Sequence, residues 1–347
     1  MIQRLRRVTG SWSLPLLLFA TGPATAAASA TPHLYVSDER GGDVVVIDAA
    51  GGGVTARIAV GKRPRGVALS PDGRHLYVAL SGSAIAGPGV DESQLPPPDR
   101  RADGIGVVDL RALRLVRTLQ SGPDPETFAV APDGRTIYVS NEDTGGLSAV
   151  DVASGKVRAT AQVGSEPEGV AIRPDGKVVY VSCEGDGSVH ALDARTLAHV
   201  GKFTSGTRPR NIAMTRDGRA GFVTNEMGKS ITLFDPQTQL AQRAVPLAGD
   251  ELLRPMGMAL SPDNTHLYVT TGRGGSLLEI DTASARVTRT IAGIGARPWG
   301  IALSGDGKLA YTANGSSGDI SIVDLASGTV RQRIKVGQSP WGVVVSR

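Results

Sequence analysis

Two series of landmarks run through this chain in one rhythm. An aromatic followed by a small or β-branched residue recurs at Tyr35, Tyr77, Tyr138, Tyr180, Phe222, Tyr268 and Tyr311, in steps of 42, 61, 42, 42, 46 and 43. An aspartate recurs at Asp48, Asp109, Asp151, Asp193, Asp235, Asp281 and Asp324, in steps of 61, 42, 42, 42, 46 and 43. All six tyrosines of the chain belong to the first series. Such self-similarity means tandem units near 42 residues, each unable to bury its apolar face alone and completed by its neighbours.

Within a unit the pattern reads as strands. From Glu168 the chain runs Gly-Val-Ala-Ile, a Pro-Asp-Gly turn, Val178 to Ser182, a polar break, Ser188 to Asp193, a turn, and Ala198 to Phe203. Runs of four to six residues rich in β-branched side chains and bounded by Gly and Asp are strands rather than helices. The repeated aspartates suit the end of the third strand, where a carboxylate accepts hydrogen bonds from the following turn. The aromatics suit packing between units. Six units open alike at Arg65, Glu126, Glu168, Arg210, Met256 and Trp299, while the seventh opening, Trp341 to Arg347, is left unfinished. The first strand-like run, from His33, is the second run of a unit whose first is missing. Tail and head therefore complete one unit, and the expectation is a seven-bladed β-propeller of four-stranded antiparallel blades, closed by the C-terminal strand.

Residues 1–30 read as an export signal: Arg4, Arg6 and Arg7, a short apolar run from Trp12 to Ala20, and A-x-A sites up to Ala30. The remaining 31–347 form a single propeller domain. Three of the basic residues behind the net charge of +4 lie in the signal, so the mature balance gives nucleic-acid binding no support. Cys183 is the only cysteine, which excludes an intrachain disulfide, and its place at a strand end suits a small packed side chain.

Phe222-Val-Thr-Asn225 and Tyr138-Val-Ser-Asn141 resemble the signature of the YVTN family of β-propeller repeats. Ser121-Gly-Pro-Asp-Pro-Glu126, Asn141-Glu-Asp143, Glu166-Pro-Glu-Gly169, Arg208-Pro-Arg210 and Pro340-Trp-Gly-Val-Val-Val345 resemble a narrower group, the β-propeller proteins associated with pyrroloquinoline-quinone-dependent catabolism. That resemblance implies an exported, periplasmic protein accompanying quinoprotein alcohol oxidation and a neighbouring transporter. It brings no established catalytic residues. The second unit departs from the pattern by an insertion of about 20 residues around 84–103 that includes Pro96-Pro-Pro98.

Function on a propeller is argued from its site. The starts of the first strands and the loops after the second strands share one face, where the insertion and the extra residues at 248–253 also fall, and insertions gather on binding faces. Arg65, Glu126, Glu168, Arg210, Met256, Trp299 and Trp341 open the first strands on the channel rim; two positions earlier stand Arg63, Asp124, Glu166, Arg208, Arg254, Arg297 and Ser339. Glu39, Glu142, Glu184 and Glu226 follow the blade aromatic by four residues and belong to the same face. Two readings stay open. The charges pair around a solvated channel, or guanidinium groups and indoles form a pocket for a planar anion, with pyrroloquinoline quinone as the candidate the resemblance offers.

The sequence expectation for chemistry is negative. None of His33, His75, His190, His199 and His266 stands on the rim, no metal-ligand loop of recognisable spacing occurs, and no G-x-S-x-G elbow is present. The reading is a non-enzymatic binding or accessory protein without cofactor or metal, its partners a periplasmic quinoprotein dehydrogenase or transporter component. The alternatives are a lactonase-like hydrolase using Glu142, Glu184 or Glu226 as base, and an envelope interaction scaffold.

Overall fold

The computed structural model describes residues 1–2, 32–50, 52–85, 94–249 and 251–346. The expected export signal, apart from Met1 and Ile2, and the middle of the insertion, residues 86–93, lie outside the described residues.

Twenty-eight strands form seven four-stranded antiparallel sheets among the described residues. Blade 1 contains β1 (His33–Asp38), β2 (Asp43–Asp48) and β3 (Val54–Ala59). Blade 2 follows as β4 (Val67–Leu69), β5 (His75–Leu80), β6 (Gly104–Asp109) and β7 (Arg114–Leu119), and blade 3 as β8 (Pro125–Val130), β9 (Thr136–Asn141), β10 (Gly146–Asp151) and β11 (Lys156–Gln162). Blade 4 is β12 (Pro167–Ile172), β13 (Val178–Cys183), β14 (Ser188–Asp193) and β15 (His199–Thr204). Blade 5 is β16 (Pro209–Met214), β17 (Gly221–Asn225), β18 (Ser230–Asp235) and β19 (Leu240–Pro246). Blade 6 is β20 (Met258–Leu260), β21 (His266–Thr270), β22 (Leu277–Asp281) and β23 (Arg286–Ile291). Blade 7 is β24 (Pro298–Leu303), β25 (Leu309–Asn314), β26 (Asp319–Asp324) and β27 (Thr329–Lys335). The last strand, β28 (Pro340–Val345), pairs with β1 in the register Leu34 to Val345 and Val36 to Val343. The ring closes as the unfinished repeat required, and β28 covers the inner edge of β1.

The apolar core is divided among the seven blade interfaces. Tyr35, Tyr77, Tyr138, Tyr180, Phe222, Tyr268 and Tyr311 are all buried, one in each of seven clusters that join a blade to the next. Tyr138 and Tyr180 also reach across, their hydroxyls donating to the carbonyls of Ala194 and Pro236 at 2.7 Å. The third-strand aspartates do what their position suggested: Asp109 accepts from the amide of Ala112 at 2.8 Å and Asp151 from that of Ser154 at 2.7 Å. The Ala112 amide for Asp109, and for Asp151 the Ser154 hydroxyl at 2.6 Å followed by the amide, hold both carboxyls below the usual carboxylate range.

The residue two after the aromatic explains how the blades set the channel rim. Ser37, Ser140, Thr224 and Thr270 donate to the carbonyls of Arg65, Glu168, Met256 and Trp299 at 2.6, 2.8, 2.8 and 2.8 Å. Each of these rim residues belongs to the following blade. Each bond thus fixes the backbone of the next blade's rim residue, a role for the hydroxyl that periodicity alone does not reveal.

Candidate functional site

Every one of the seven rim openings is preceded by proline: Pro64, Pro125, Pro167, Pro209, Pro255, Pro298 and Pro340. The residue before it takes a left-handed backbone in five blades, with φ of 41° at Arg63, 48° at Asp124, 51° at Glu166, 56° at Arg208 and 56° at Arg297. That conformation costs a non-glycine residue about 1–2 kcal/mol, and it is held by a bond across the blade. In four of the five, the backbone carbonyls of Asp124, Glu166, Arg208 and Arg297 accept the amides of Glu142, Glu184, Glu226 and Gly315 at 3.1, 2.8, 2.8 and 3.0 Å. The same bonds bring the second carboxylate series, Glu142, Glu184 and Glu226, beside the first. Just after four of the prolines the pairing slips, between Pro125 and Phe128, Pro167 and Val170, Pro209 and Ile212, and Pro298 and Ile301. Such a bulge re-aims side chains, here those of Glu126, Glu168, Arg210 and Trp299. Gly169 and Gly257 allow the innermost strands to approach, since a Cβ there would sit 2.1 Å from the carbonyl oxygen of Arg210 and 2.3 Å from that of Trp299.

The rim charges gather around two guanidinium groups, one buried and one mostly so. Arg65 pairs with Glu126, lies 2.6 Å from Asp124 and 3.5 Å from Glu142, and donates to the carbonyl of Pro125 at 2.8 Å. Its neighbour Arg63 reaches Glu39 at 3.2 Å and Asp124 at 4.0 Å. Arg210 bonds Glu168 and donates to Glu226 at 2.8 Å. Arg210 Nη1 is also 2.8 Å from Glu184 Oε2, but off the hydrogen-bonding direction, so that oxygen is met by charge alone. Arg208, half exposed, pairs with Glu184 and lies 3.8 Å from Glu226. Burial works against the charge of Arg65 and Arg210; the carboxylates around them, Glu126 first for Arg65 and Glu168 first for Arg210, more than offset it and hold both firmly cationic.

The carboxylates respond in opposite directions. Burial raises Glu126 and Glu142 despite the nearby Arg65. Burial also pushes the Glu168 carboxyl up to about 7 against the pull of Arg210. Asp124 and Glu226 stay below their usual range: burial opposes their ionisation, and Arg65 and Arg210 respectively overcome it. Carboxyls held apart in this way can divide acid and base roles.

The aromatic sector lies against this cluster. Trp299 and Trp341 are 5.6 Å apart between ring centroids, and the Arg297 and Arg210 guanidinium carbons stand 5.0 and 5.8 Å from the Trp299 ring. Burial, then Arg273, lowers the pKa of Arg297 against the more distant pull of Glu226 and Glu39. A cavity of about 70 Å³ is lined by Glu168, Arg210, Met256, Trp299 and Trp341 among others, room for a few waters. The sequence-derived rim is thus assembled in part. Arg63, Arg65, Asp124 and Glu126 join one charge network and Glu168, Arg208 and Arg210 a second, which the tryptophans border. Glu166 is exposed beside the network, and Arg254 turns to the carbonyls of Glu251 and Leu253 at 2.7 and 2.8 Å. Arg208 and Arg210 are taken up by carboxylates, so these two follow the charge-pairing reading and do not stand free beside the indoles for a planar anion. The recurrent X-Pro pairs were the overlooked signal that marks the rim.

Solved structures share the whole ring. The periplasmic gluconolactonase of Pseudomonas aeruginosa superposes with a TM-score of 0.73 at 22% identity, covering 91% of this chain and 99% of that one. A candidate 6-phosphogluconolactonase from Bacteroides fragilis gives 0.74 at 17% identity over 92% and 99%. Hydrazine synthase of Kuenenia stuttgartiensis gives 0.72 at 20% identity over 89% and 99%. At these identities the likeness establishes the propeller fold. The expectation of a non-enzymatic protein is nonetheless corrected, because two propellers that match over 91% and 92% of this chain carry the names of lactonases. A comparison with curated proteins found no match. A family model described as outer membrane protein assembly factor BamB matches residues 112–334, most of blades 3 to 7, and the chain belongs to that family.

Proposed function

We propose that the rim is the active site of a lactonase-like hydrolase acting on sugar-type lactones after export to the periplasm. The observation that carries the reading is Glu168, a buried carboxyl near pKa 7 that shares one small cavity with Arg210, Trp299 and Trp341. A base poised near the working pH is what hydrolysis needs. Glu168 takes a proton from a cavity water, whose oxygen bonds to the lactone carbonyl carbon. The charge that develops on the carbonyl oxygen faces the rim guanidinium groups. The ring C–O bond then breaks, and the ring oxygen leaves with the proton Glu168 had accepted, giving a hydroxy acid. The indoles offer an apolar face to the sugar ring. Glu168, rather than the Glu142, Glu184 or Glu226 named from sequence, is the base in this reading. Glu226 is held too acidic, and Glu184 is committed to Arg208 and Arg210.

The N-terminal signal pattern, the description of the family and the periplasmic neighbour support the location. The resemblance to quinoprotein-associated propellers supports a setting in which a quinone-dependent dehydrogenase, the expected partner, oxidises a lactol to the lactone consumed here. Turnover of aldonolactones should be followed by acid release above the spontaneous rate, in wild type and in Glu168→Gln. Absence of turnover, or full activity in the variant, refutes the assignment.

A further inference from the structure

Blade 4 departs from its neighbours at three linked positions. In blades 3, 5 and 7 the second strand ends in Asn141, Asn225 or Asn314, whose side-chain amide donates to a third-strand hydroxyl: Ser148 at 2.8 Å, Thr232 at 3.0 Å and Ser321 at 3.0 Å. By strand register the corresponding pair in blade 4 is Cys183 and His190. The turn between them carries Asp186 where the other three blades have Thr144, Gly228 and Ser317. A neutral hydrogen-bonded pair is thus replaced by a thiol, an imidazole and a carboxylate.

The geometry leaves these three groups facing one another. The Cys183 sulfur, a ring nitrogen of His190 and a carboxylate oxygen of Asp186 all lie within 4.8 Å of each other. Cys183 is fully buried and His190 is 5% exposed, yet both of its ring nitrogens lack a hydrogen-bond partner. A buried imidazole with neither nitrogen satisfied is rare, because each group loses water and gains nothing. Asp186 commits Oδ1 to the hydroxyl of Ser188 at 2.6 Å and turns Oδ2 toward His190 Nε2 at 4.0 Å. The competitors are weak. The half-exposed Lys202 touches Oδ2 at 3.4 Å and is free to turn outward, and His199, whose ring is 5.3 Å away, is engaged with the carbonyl of Gln162 at 2.8 Å. Gly164 keeps the flank open, since a Cβ there would lie 2.5 Å from Asp186 Oδ2 and 2.8 Å from Cys183 Cβ.

We propose that Cys183, Asp186 and His190 bind one divalent ion of the zinc class, leaving a fourth position for water. Sulfur, imidazole and carboxylate together are a donor set for a borderline-soft ion and not for calcium or magnesium. Ligand atoms around a tetrahedral zinc stand roughly 3.4–3.8 Å apart, so binding asks the three side chains to close by about an ångström. The thiol proton leaves to solvent as the metal–sulfur bond forms. The ion clasps the turn that begins at Glu184 and so holds that carboxylate against Arg208 and Arg210.

The test uses the full chain purified without a polyhistidine tag, stripped with chelator and titrated with Co²⁺. The expected result is one equivalent bound, with the near-ultraviolet thiolate-to-cobalt band and the visible bands of a tetrahedral site, both displaced by Zn²⁺. Cys183 is the only cysteine, so the thiolate band has a single source and must vanish in Cys183→Ser. His190→Gln should weaken uptake roughly tenfold or more, a second reading should the serine variant fold poorly. No thiolate band at saturating Co²⁺, or uptake unchanged in both variants, overturns the proposal. Lactone turnover is not read in this titration, so the hydrolase reading and the metal site stand or fall separately.

Discussion

Replacing Glu168 by glutamine should stabilise the protein while abolishing its chemistry. The carboxyl is ordinary at pKa 4.5 when the chain is unfolded and about 7 when folded. Because the folded value lies above the unfolded one, folding takes up a proton. The stability contributed by that uptake is complete below pH 4.5 and is lost as the pH rises through 7. The gap corresponds to about 3 kcal/mol by the usual linkage conversion. Glutamine keeps the shape and a hydrogen-bonding oxygen without the charge, and Arg210 retains Glu226 and Glu184, each at 2.8 Å. The variant should therefore match wild type near pH 4.5 and exceed it above pH 7, by roughly 5 °C in Tm for a ring of this size. Paired melting curves by circular dichroism between pH 4.5 and 8 measure this, with lactone turnover recorded on the same samples. A Tm difference that does not widen with pH, or a variant less stable than wild type at pH 8, would show that Glu168 is ionised and satisfied in the folded protein. The base assignment would then lose its physical ground.

Arg65→Met leaves Asp124, Glu126 and Glu142 facing one another with only the more distant Arg63 beside Asp124, so a loss of about 3–5 kcal/mol is expected at neutral pH; denaturant midpoints should show it shrinking toward pH 5 as the carboxyls protonate. Deleting 340–347 removes β28 and bares the inner edge of β1, and the truncated chain should aggregate and melt far lower; equal stability in light scattering and calorimetry would contradict closure by the tail. Limited proteolysis should nick first between 84 and 98, because Asp103 is tied to the amide of Gly82 at 2.7 Å and Arg100 pairs with Asp103 and Asp143; early cleavage on the C-terminal side of Asp99 would count against it.

Blade number, strand order and ring closure were legible in the sequence because each follows from periodicity. A repeat of near 42 residues specifies identical sheets, strand alternation specifies which faces meet, and an incomplete unit at each end specifies where the ring joins. The rim positions were legible for the same reason: Arg65, Glu126, Glu168 and Arg210 share one register. Their interactions were not. Whether Arg210 greets a ligand or a carboxylate depends on contacts with Glu168 and Glu184 of one neighbouring blade and Trp299 two blades on, distances that no spacing along the chain encodes.

The same limit separates Glu168 from Glu226. Both were rim carboxylates by position, yet burial drives one up to about 7 while Arg210 holds the other low. Cys183 and His190, seven residues apart, read as a packed small side chain and a histidine off the rim; only the pairing of β13 with β14 turns them toward Asp186. Sequence determined the ring, since short-range pattern repeated seven times leaves a single way to bury its faces. Tertiary structure decided the chemistry, since charge, solvent exclusion and ligand geometry are set by groups that meet across blades.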